Sequence, residues 1–117
     1  MSFKYFKLEE FACKHTGKNN IDHRLVSMLD EAREYYGSPI KINSGYRHKT
    51  HPESVKNPSS SHIKGLAADI SCTDSTTRAK LLEALVHANF KRYGLHKSFI
   101  HVDIEDEDKP SPVIWLY

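Results

Sequence analysis

The sequence is poor in cysteine and has no long apolar run, and each absence excludes a class of protein. Two cysteines, Cys13 and Cys72, are too few for a disulfide framework and lack the C-x-x-C spacing of a structural zinc site. We therefore expect two reduced, partly buried thiols.

No segment approaches the ~20 apolar residues of a membrane span. The first residues also lack the apolar stretch of a signal peptide, so we expect a chain that reaches a substrate outside the membrane only after release or export by another route.

The sequence also carries little excess charge. Its formal net charge of +2 falls well short of the basic surface that nucleic-acid binding requires. We therefore predict no nucleic-acid partner and no membrane partner. At 117 residues, with 38% hydrophobic and 27% charged residues, the chain is large enough to bury a core without cross-links. Since it shows no internal repeat and no linker, we predict a single domain over residues 1–117 and expect a monomer.

Apolar spacing and turn residues predict the order of elements. Asp22 is a candidate N-cap for a helix that ends at Gly37, and a second helix is predicted over 76–87 after a cap within 73–75. Strands are predicted at 40–44, 66–71, 91–95 and 99–104, with a short helical segment within 8–14, a surface turn at the acidic residues 105–108, and a closing segment at 113–117. Residues 45–61 have little apolar content and predict a long functional loop. This order favours an α+β fold, with helices on one face of a small, mainly antiparallel sheet and the site on the other.

The segment SSSHIKGLAADIS, residues 59–71, combines two potential metal ligands with a turn. On an unbroken strand His62 and Asp69 would lie more than ~20 Å apart and on opposite faces. The chain must therefore turn if both serve one site, and Gly65 can enter the left-handed region without penalty. After the turn, alternation places Leu66, Ala68 and Ile70 in the core and directs Asp69 out of the opposite face.

A second segment, Ile100-His101-Val102-Asp103-Ile104, repeats this alternation and presents His101 and Asp103 from one face. Two imidazoles and one carboxylate suit Zn²⁺ in a site that keeps a fourth position open for water, which is typical of a catalytic zinc. We therefore predict that His62, Asp69 and His101 hold one zinc ion. Asp103 is our candidate for the catalytic base, although it could instead orient an imidazole. His51 and His96 are the reserve candidates for that base.

The long loop supplies candidates for substrate binding. The planar guanidinium of Arg47 could clamp a substrate carboxylate or steady an oxyanion, so Arg47 is both a catalytic and a substrate-binding candidate. Ser60 and His51 are further substrate-binding candidates from the same loop, although Ser60 could equally be a loop hydrogen-bonding residue. A non-haem iron oxygenase would use His101-x-Asp103 with another histidine far downstream. No histidine follows Asp103, so the sequence disfavours that class.

Three motifs, in this order and spacing, resemble the zinc D-alanyl-D-alanine carboxypeptidase family, whose fold is shared with the hedgehog signalling domain. They are Ser44-Gly45-Tyr46-Arg47, Ser60-x-His62-x-x-Gly65-x-Ala67-x-Asp69 and Ile100-His101-Val102-Asp103. Glu10-Phe11-x-Cys13 and Trp115-x-Tyr117 also look like the compact, single-domain members of phages and bacteria, some of them endolysin-like. The resemblance implies zinc ligands at His62, Asp69 and His101, substrate contact by Arg47, and cleavage of peptidoglycan stem peptides.

The sequence departs from that family at one position. Several relatives place the catalytic acid three residues before the last histidine ligand, and here that residue is Ser98. Two functions therefore stay open. One is a zinc peptidase that removes the terminal D-alanine of a stem peptide or cuts within it. The other is a catalytically impaired, zinc-containing module that binds cell-wall peptide.

Overall fold

The computed structural model describes residues 3–106 and 109–117, which form helices and five strands. In chain order the elements are a 3₁₀ helix at Leu8–Phe11, α1 at His23–Tyr36, β1 at Ile42–Ser44, α2 at Pro52–Lys56, β2 at Ala67–Ser71, α3 at Ser75–His87, β3 at Arg92–Leu95, β4 at Phe99–Asp103 and β5 at Val113–Leu116. Of the turn predicted at 105–108, Glu107 and Asp108 lie outside the described residues. No helix in the described ranges is long and apolar enough to cross a membrane.

The five strands form one sheet in the order β1-β2-β4-β3-β5. All neighbours pair antiparallel except β3 and β5, which are parallel. The predicted α+β fold with a mainly antiparallel sheet is therefore confirmed. The central pair, β2 and β4, is registered so that Asp69 lies directly opposite His101. This register sets the geometry of the site.

The two long helices begin and end where the sequence predicts. The Asp22 side chain accepts a hydrogen bond from the Arg24 backbone N–H, and Gly37 ends α1 with a φ of 80°. Asp74 caps α3 in the same way through the Thr77 N–H. Buried side chains of both helices cover one face of the sheet; they are Leu25, Val26, Leu29 and Ala32 of α1 and Leu81, Ala84 and Leu85 of α3.

The strands alternate between the core and the opposite face as predicted, except at Leu66. This residue was expected in the core, but β2 begins one residue later and Leu66 is only half-buried. Ala68, Ile70, Ile100 and Val102 have no exposed surface and join the core against the helices. The residues between them, including Asp69 and His101, point to the other face. That face carries an open cleft, so the helices and the site occupy opposite sides of the sheet.

The predicted turn between His62 and β2 occurs at Gly65, where φ is 73°. A Cβ at this position would lie 2.1 Å from the Asn20 carbonyl oxygen, so glycine is required for space as well as for conformation. The Gly65 carbonyl in turn accepts a hydrogen bond from the Asp22 N–H at 2.9 Å. The turn is therefore packed against the start of α1, which fixes the position of His62.

The structure differs from the prediction in the loop before this turn. Residues 45–61 contain a short helix, α2, because His51 accepts a hydrogen bond from the Glu53 N–H and Pro52 occupies the first turn. The segment has no apolar periodicity, which is why the pattern predicts only a loop. Both cysteines are buried and form no disulfide, as predicted.

Candidate metal centre

Three side chains of the types that bind metals converge on the face opposite the helices. His62 precedes the Gly65 turn, Asp69 lies on β2 and His101 lies on β4, and one ligand atom from each lies within 4.8 Å of the other two. Asp69 Oδ1 is 3.2 Å from His62 Nε2 and 3.0 Å from His101 Nδ1. All three residues are buried, with exposed fractions of 3%, 6% and 7%.

The second nitrogen of each imidazole is held by a group that can only accept a hydrogen bond. His62 Nδ1 donates to the Gly45 carbonyl oxygen at 2.7 Å, and His101 Nε2 donates to the Asp103 carboxylate at 2.7 Å. In the neutral imidazoles, His62 Nε2 and His101 Nδ1 therefore turn lone pairs toward Asp69. Such outer partners are the usual means of orienting metal-binding histidines.

This donor set fits a divalent cation. Two nitrogen lone pairs and a carboxylate oxygen that face one another repel unless a cation or additional protons lie among them. Two imidazoles and one carboxylate with an open position are the ligands of a catalytic zinc site. His62, Asp69 and His101 are therefore the residues that would hold the ion, and the motif-based prediction named the same three.

Without a metal, these groups shift the titration of one another. Burial alone would raise the pKa of Asp69, but hydrogen bonds from His101 and His62 outweigh it and hold the pKa well below its usual range. Burial would lower the pKa of His101, but hydrogen bonds to Asp103 and Asp69 outweigh it and raise the pKa. A proton on His101 competes with a metal, so affinity for a cation should fall as pH falls.

The sequence-predicted base, Asp103, is a buried carboxylate with three donors around it. Its Oδ2 accepts from His101 Nε2 at 2.7 Å, while its Oδ1 accepts from Arg92 Nε at 2.6 Å and from the Glu105 N–H at 3.1 Å. Burial would raise the pKa of Asp103, but the hydrogen bond and charge of His101, together with the hydrogen bonds from Arg92 and the Glu105 N–H, keep the pKa below its ordinary value. Only 2% of the residue is exposed.

Arg47 lies at the rim of the centre. Its Nη2 is 3.1 Å from Asp69 Oδ2, and its Nε donates to the Ser44 hydroxyl at 3.0 Å. The Arg47 backbone N–H also donates to the His62 carbonyl at 3.1 Å, which ties this arginine to the loop that bears His62. Its side chain is 20% exposed, so it can still contact a ligand in the cleft.

The cleft over the centre measures about 420 Å³ and is lined by polar and by aromatic side chains. We call Arg47, Ser60, Ser61 and Lys109 the polar wall, and Phe99, Trp115 and Tyr117 the aromatic wall. A Cβ at Gly94 would lie 2.6 Å from the Trp115 ring, so this glycine lets the indole lie flat against β3. The indole centroid is 5.3 Å from that of His101.

Some predicted residues lie in the cleft and some do not. Ser60 lines it, and its hydroxyl accepts a hydrogen bond from the His62 N–H at 3.2 Å. His51 is not among the lining residues of the described chain; it caps α2 and packs against His15 with ring centroids 5.8 Å apart. Ser98 is also outside the lining, exposed in the β3–β4 turn, where its Oγ lies 2.9 Å from His96 Nδ1.

Sequence reasoning missed a buried carboxylate behind the polar wall. The side chain of Glu105 is 1% exposed and lies 3.0 Å from Lys64 Nζ, 3.2 Å from the Ser61 hydroxyl and 3.6 Å from Lys109 Nζ. These contacts tie the loop bearing His62 to the segment after β4. Arg92, which holds Asp103, was also missed, although strand alternation on β3 would place it on the same face as Gly94 and the site.

Comparison with known proteins identifies a family. A family model described as Peptidase M15 matches residues 4–103. No curated protein and no solved structure matches the chain. The matched region includes all three residues of the metal centre and ends before β5, which supplies Trp115 of the aromatic wall.

Proposed function

The chain belongs to the Peptidase M15 family of metallopeptidases, and we propose that it is a zinc peptidase that hydrolyses peptide bonds of bacterial peptidoglycan stem peptides. The observation that carries the proposal is the convergence of His62, Asp69 and His101 at the floor of an open cleft, each imidazole having its second nitrogen occupied. A zinc ion bound there would supply a Lewis acid and lower the pKa of water to about 7.

The residues around the centre have separable roles in this proposal. Arg47, beside Asp69 and partly exposed, would engage a carboxylate or carbonyl oxygen of the substrate through its remaining guanidinium surface. Ser60 would offer its hydroxyl to the peptide backbone from the same wall. His51, predicted to bind substrate, is not among the residues of the described chain that line the cleft, and its position at the N-terminus of α2 supports an indirect contribution through that helix.

We assign Asp103 a positioning role instead of that of the base. Three donors surround its carboxylate, so a proton taken from water would displace an existing hydrogen bond. In the neutral imidazole, its contact with His101 Nε2 leaves Nδ1 unprotonated and directed at the centre. This is the alternative role that the sequence left open for Asp103.

Stem-peptide hydrolysis is tested with purified, zinc-loaded protein and muropeptides separated by mass spectrometry. The expected result is release of D-alanine or of shortened stem peptides, with loss of turnover after chelation and recovery when zinc is returned. His62→Ala should be inactive at every zinc concentration. Intact muropeptides after incubation with fully zinc-loaded protein would contradict the proposal, and the sizes of the products distinguish carboxypeptidase from endopeptidase cleavage.

A second candidate is a zinc-containing module that binds stem peptide without turnover. One observation favours it. The candidate base Asp103 is enclosed, and the position at which relatives carry the catalytic acid is Ser98, which has no carboxylate and lies outside the cleft. Tight binding of unhydrolysed stem peptide by the zinc-loaded protein, measured by calorimetry, would support this candidate over the first.

A further inference from the structure

Hydrolysis of a peptide bond requires a group that takes a proton from water and returns it to the departing amine. Carboxylates are the usual groups for this task beside a metal. Within the described chain, three carboxylates line the cleft, namely Glu53, Asp69 and Asp103. The three differ in whether their oxygens already accept hydrogen bonds from buried donors.

Two of these carboxylates already have their oxygens occupied by neighbouring donors. Asp69 contacts both imidazoles and Arg47 Nη2 at 3.0–3.2 Å. Asp103 accepts hydrogen bonds from His101, Arg92 and the Glu105 N–H. Both ring nitrogens of the two cleft histidines are also occupied, because one nitrogen of each faces the centre and the other donates to a hydrogen-bond acceptor.

Glu53 differs from the others in its surroundings. Its side chain is 57% exposed, and its nearest described cation, Lys56 Nζ, lies at 3.9 Å, which is the length of a weak surface ion pair. The carboxylate can therefore accept a proton without losing a buried hydrogen bond. Its backbone is held in place, because the Glu53 N–H donates to His51 Nδ1 at 3.0 Å and the Glu53 carbonyl accepts from the Asn57 N–H at 3.0 Å.

We propose that Glu53 is the general base and acid of the reaction, presented to the cleft by α2. This inference rests on the proposed peptidase function. As the water oxygen bonds to the peptide carbonyl carbon, one water proton passes to Glu53 and then to the amide nitrogen as the C–N bond breaks. The second water proton follows the same route. The products are a carboxylate and an ammonium group, and Glu53 ends in its starting, ionised state.

The test compares zinc-loaded wild type with Glu53→Gln, which keeps size and hydrogen bonding but cannot hold the proton. Expected results are a kcat lowered by about 10²–10⁴-fold, an unchanged zinc content, and binding of an uncleavable stem-peptide analogue within about threefold of wild type. With zinc kept saturating at every pH, the acid limb of the pH profile of kcat/KM should disappear. Glu53→Asp should retain more activity than Glu53→Gln, because it keeps a titratable carboxylate at this position, although one methylene closer to the backbone.

Glu31→Gln, an exposed glutamate of α1 away from the cleft, is the matched control and should behave as wild type. A wild-type kcat and pH profile in Glu53→Gln would overturn the assignment while the peptidase proposal stands. Weaker analogue binding with an unchanged kcat would also overturn it and make Glu53 a contact for a substrate cation. A wild type that binds the analogue but never cleaves stem peptide would overturn both proposals.

Discussion

The surroundings of Asp103 fix what this single carboxylate can do. On sequence alone it shares a strand face with His101, which is compatible with a base or with an orienting partner. In the folded chain Arg92, a residue of the neighbouring strand, and the Glu105 N–H occupy one oxygen, and His101 occupies the other. A carboxylate so enclosed stabilises one tautomer of the imidazole more readily than it exchanges protons with water.

Asp103→Asn should therefore weaken zinc binding. The amide keeps the shape but removes the charge that holds the His101 Nε2 proton, so we expect a loss of zinc affinity of about 10–100-fold, measured by competition with a chromophoric chelator. Asp106→Asn, an exposed neighbour, serves as the control. Unchanged affinity combined with a lower kcat would instead make Asp103 the base.

Two glycines separate two costs of adding a side chain: the cost of the left-handed conformation and the cost of a steric clash. Gly65 and Gly37 have nearly the same φ, 73° and 80°, but only at Gly65 would a Cβ meet backbone atoms, with Asn20 O at 2.1 Å. We expect Gly37→Ala to lower the free energy of unfolding by about 1 kcal/mol, the cost of the left-handed conformation. Gly65→Ala should lower it by about 3 kcal/mol or more, because backbone must also move. Urea denaturation checks both, and equal effects would contradict the packing argument.

At the scale of elements, the site depends on contacts between segments distant in sequence. The loop before β2 carries His62, and the segment after β4 carries Glu105, whose buried carboxylate contacts Ser61, Lys64 and Lys109. Burial would raise the pKa of Glu105, but the hydrogen bond and charge of Lys64 outweigh it and lower the pKa. These contacts hold the His62 loop against the strand that carries His101.

This linkage predicts a pH-dependent contribution to stability. Because the pKa of Glu105 is lower in the folded chain, its contribution is present above the unfolded pKa and is lost as pH falls through the folded value. Glu105→Gln should therefore lower the free energy of unfolding by about 1–2 kcal/mol at pH 7. The difference from wild type should shrink below about pH 4, near the ordinary pKa of a glutamate.

Urea denaturation at pH 7 and pH 3 measures the effect of Glu105→Gln. Glu9→Gln, at an exposed position on the 3₁₀ helix, is the control and should leave stability within about 0.5 kcal/mol of wild type at both values. A constant difference between wild type and Glu105→Gln at both pH values would contradict the electrostatic account and indicate a packing effect.

At the scale of the whole molecule, a metal would join three parts of the fold. Neither cysteine forms a disulfide, so within the described residues no covalent cross-link ties the loop at His62 to β4. A ligand that binds the folded chain stabilises it by mass action. Since the three donors come from the loop and two strands, zinc binding and folding should be coupled.

Zinc at 100 times its dissociation constant should therefore raise the free energy of unfolding by about 2.7 kcal/mol. Thermal unfolding with zinc, without zinc and with chelator measures this increment. His62→Ala should lose it. His96→Ala, a histidine of the β3–β4 turn, should keep it even if its own baseline differs. An identical zinc increment in wild type and His62→Ala would show that the ion binds elsewhere.

Local signals account for the parts of the fold that could be predicted. The caps Asp22 and Asp74 and the stop at Gly37 act within a few residues, and strand alternation needs only the sequence of one strand. The short helix α2 was missed because it depends on a histidine cap and a proline, without an apolar stripe. The parallel pairing of β5 with β3 was not predicted because it joins segments that no local pattern connects.

The candidate site likewise has features that local sequence predicts and features that only long-range packing determines. The sequence alone predicts the ligands His62, Asp69 and His101 and the face of the sheet on which they lie, because residue spacing, a turn glycine and strand alternation are local properties. Strand register and the position of α2 determine which imidazole nitrogen faces the centre and which carboxylates are enclosed or open. These features depend on long-range packing. Arg92 reaches Asp103 only because β3 and β4 are neighbours, and Glu53 reaches the cleft only because α2 borders it.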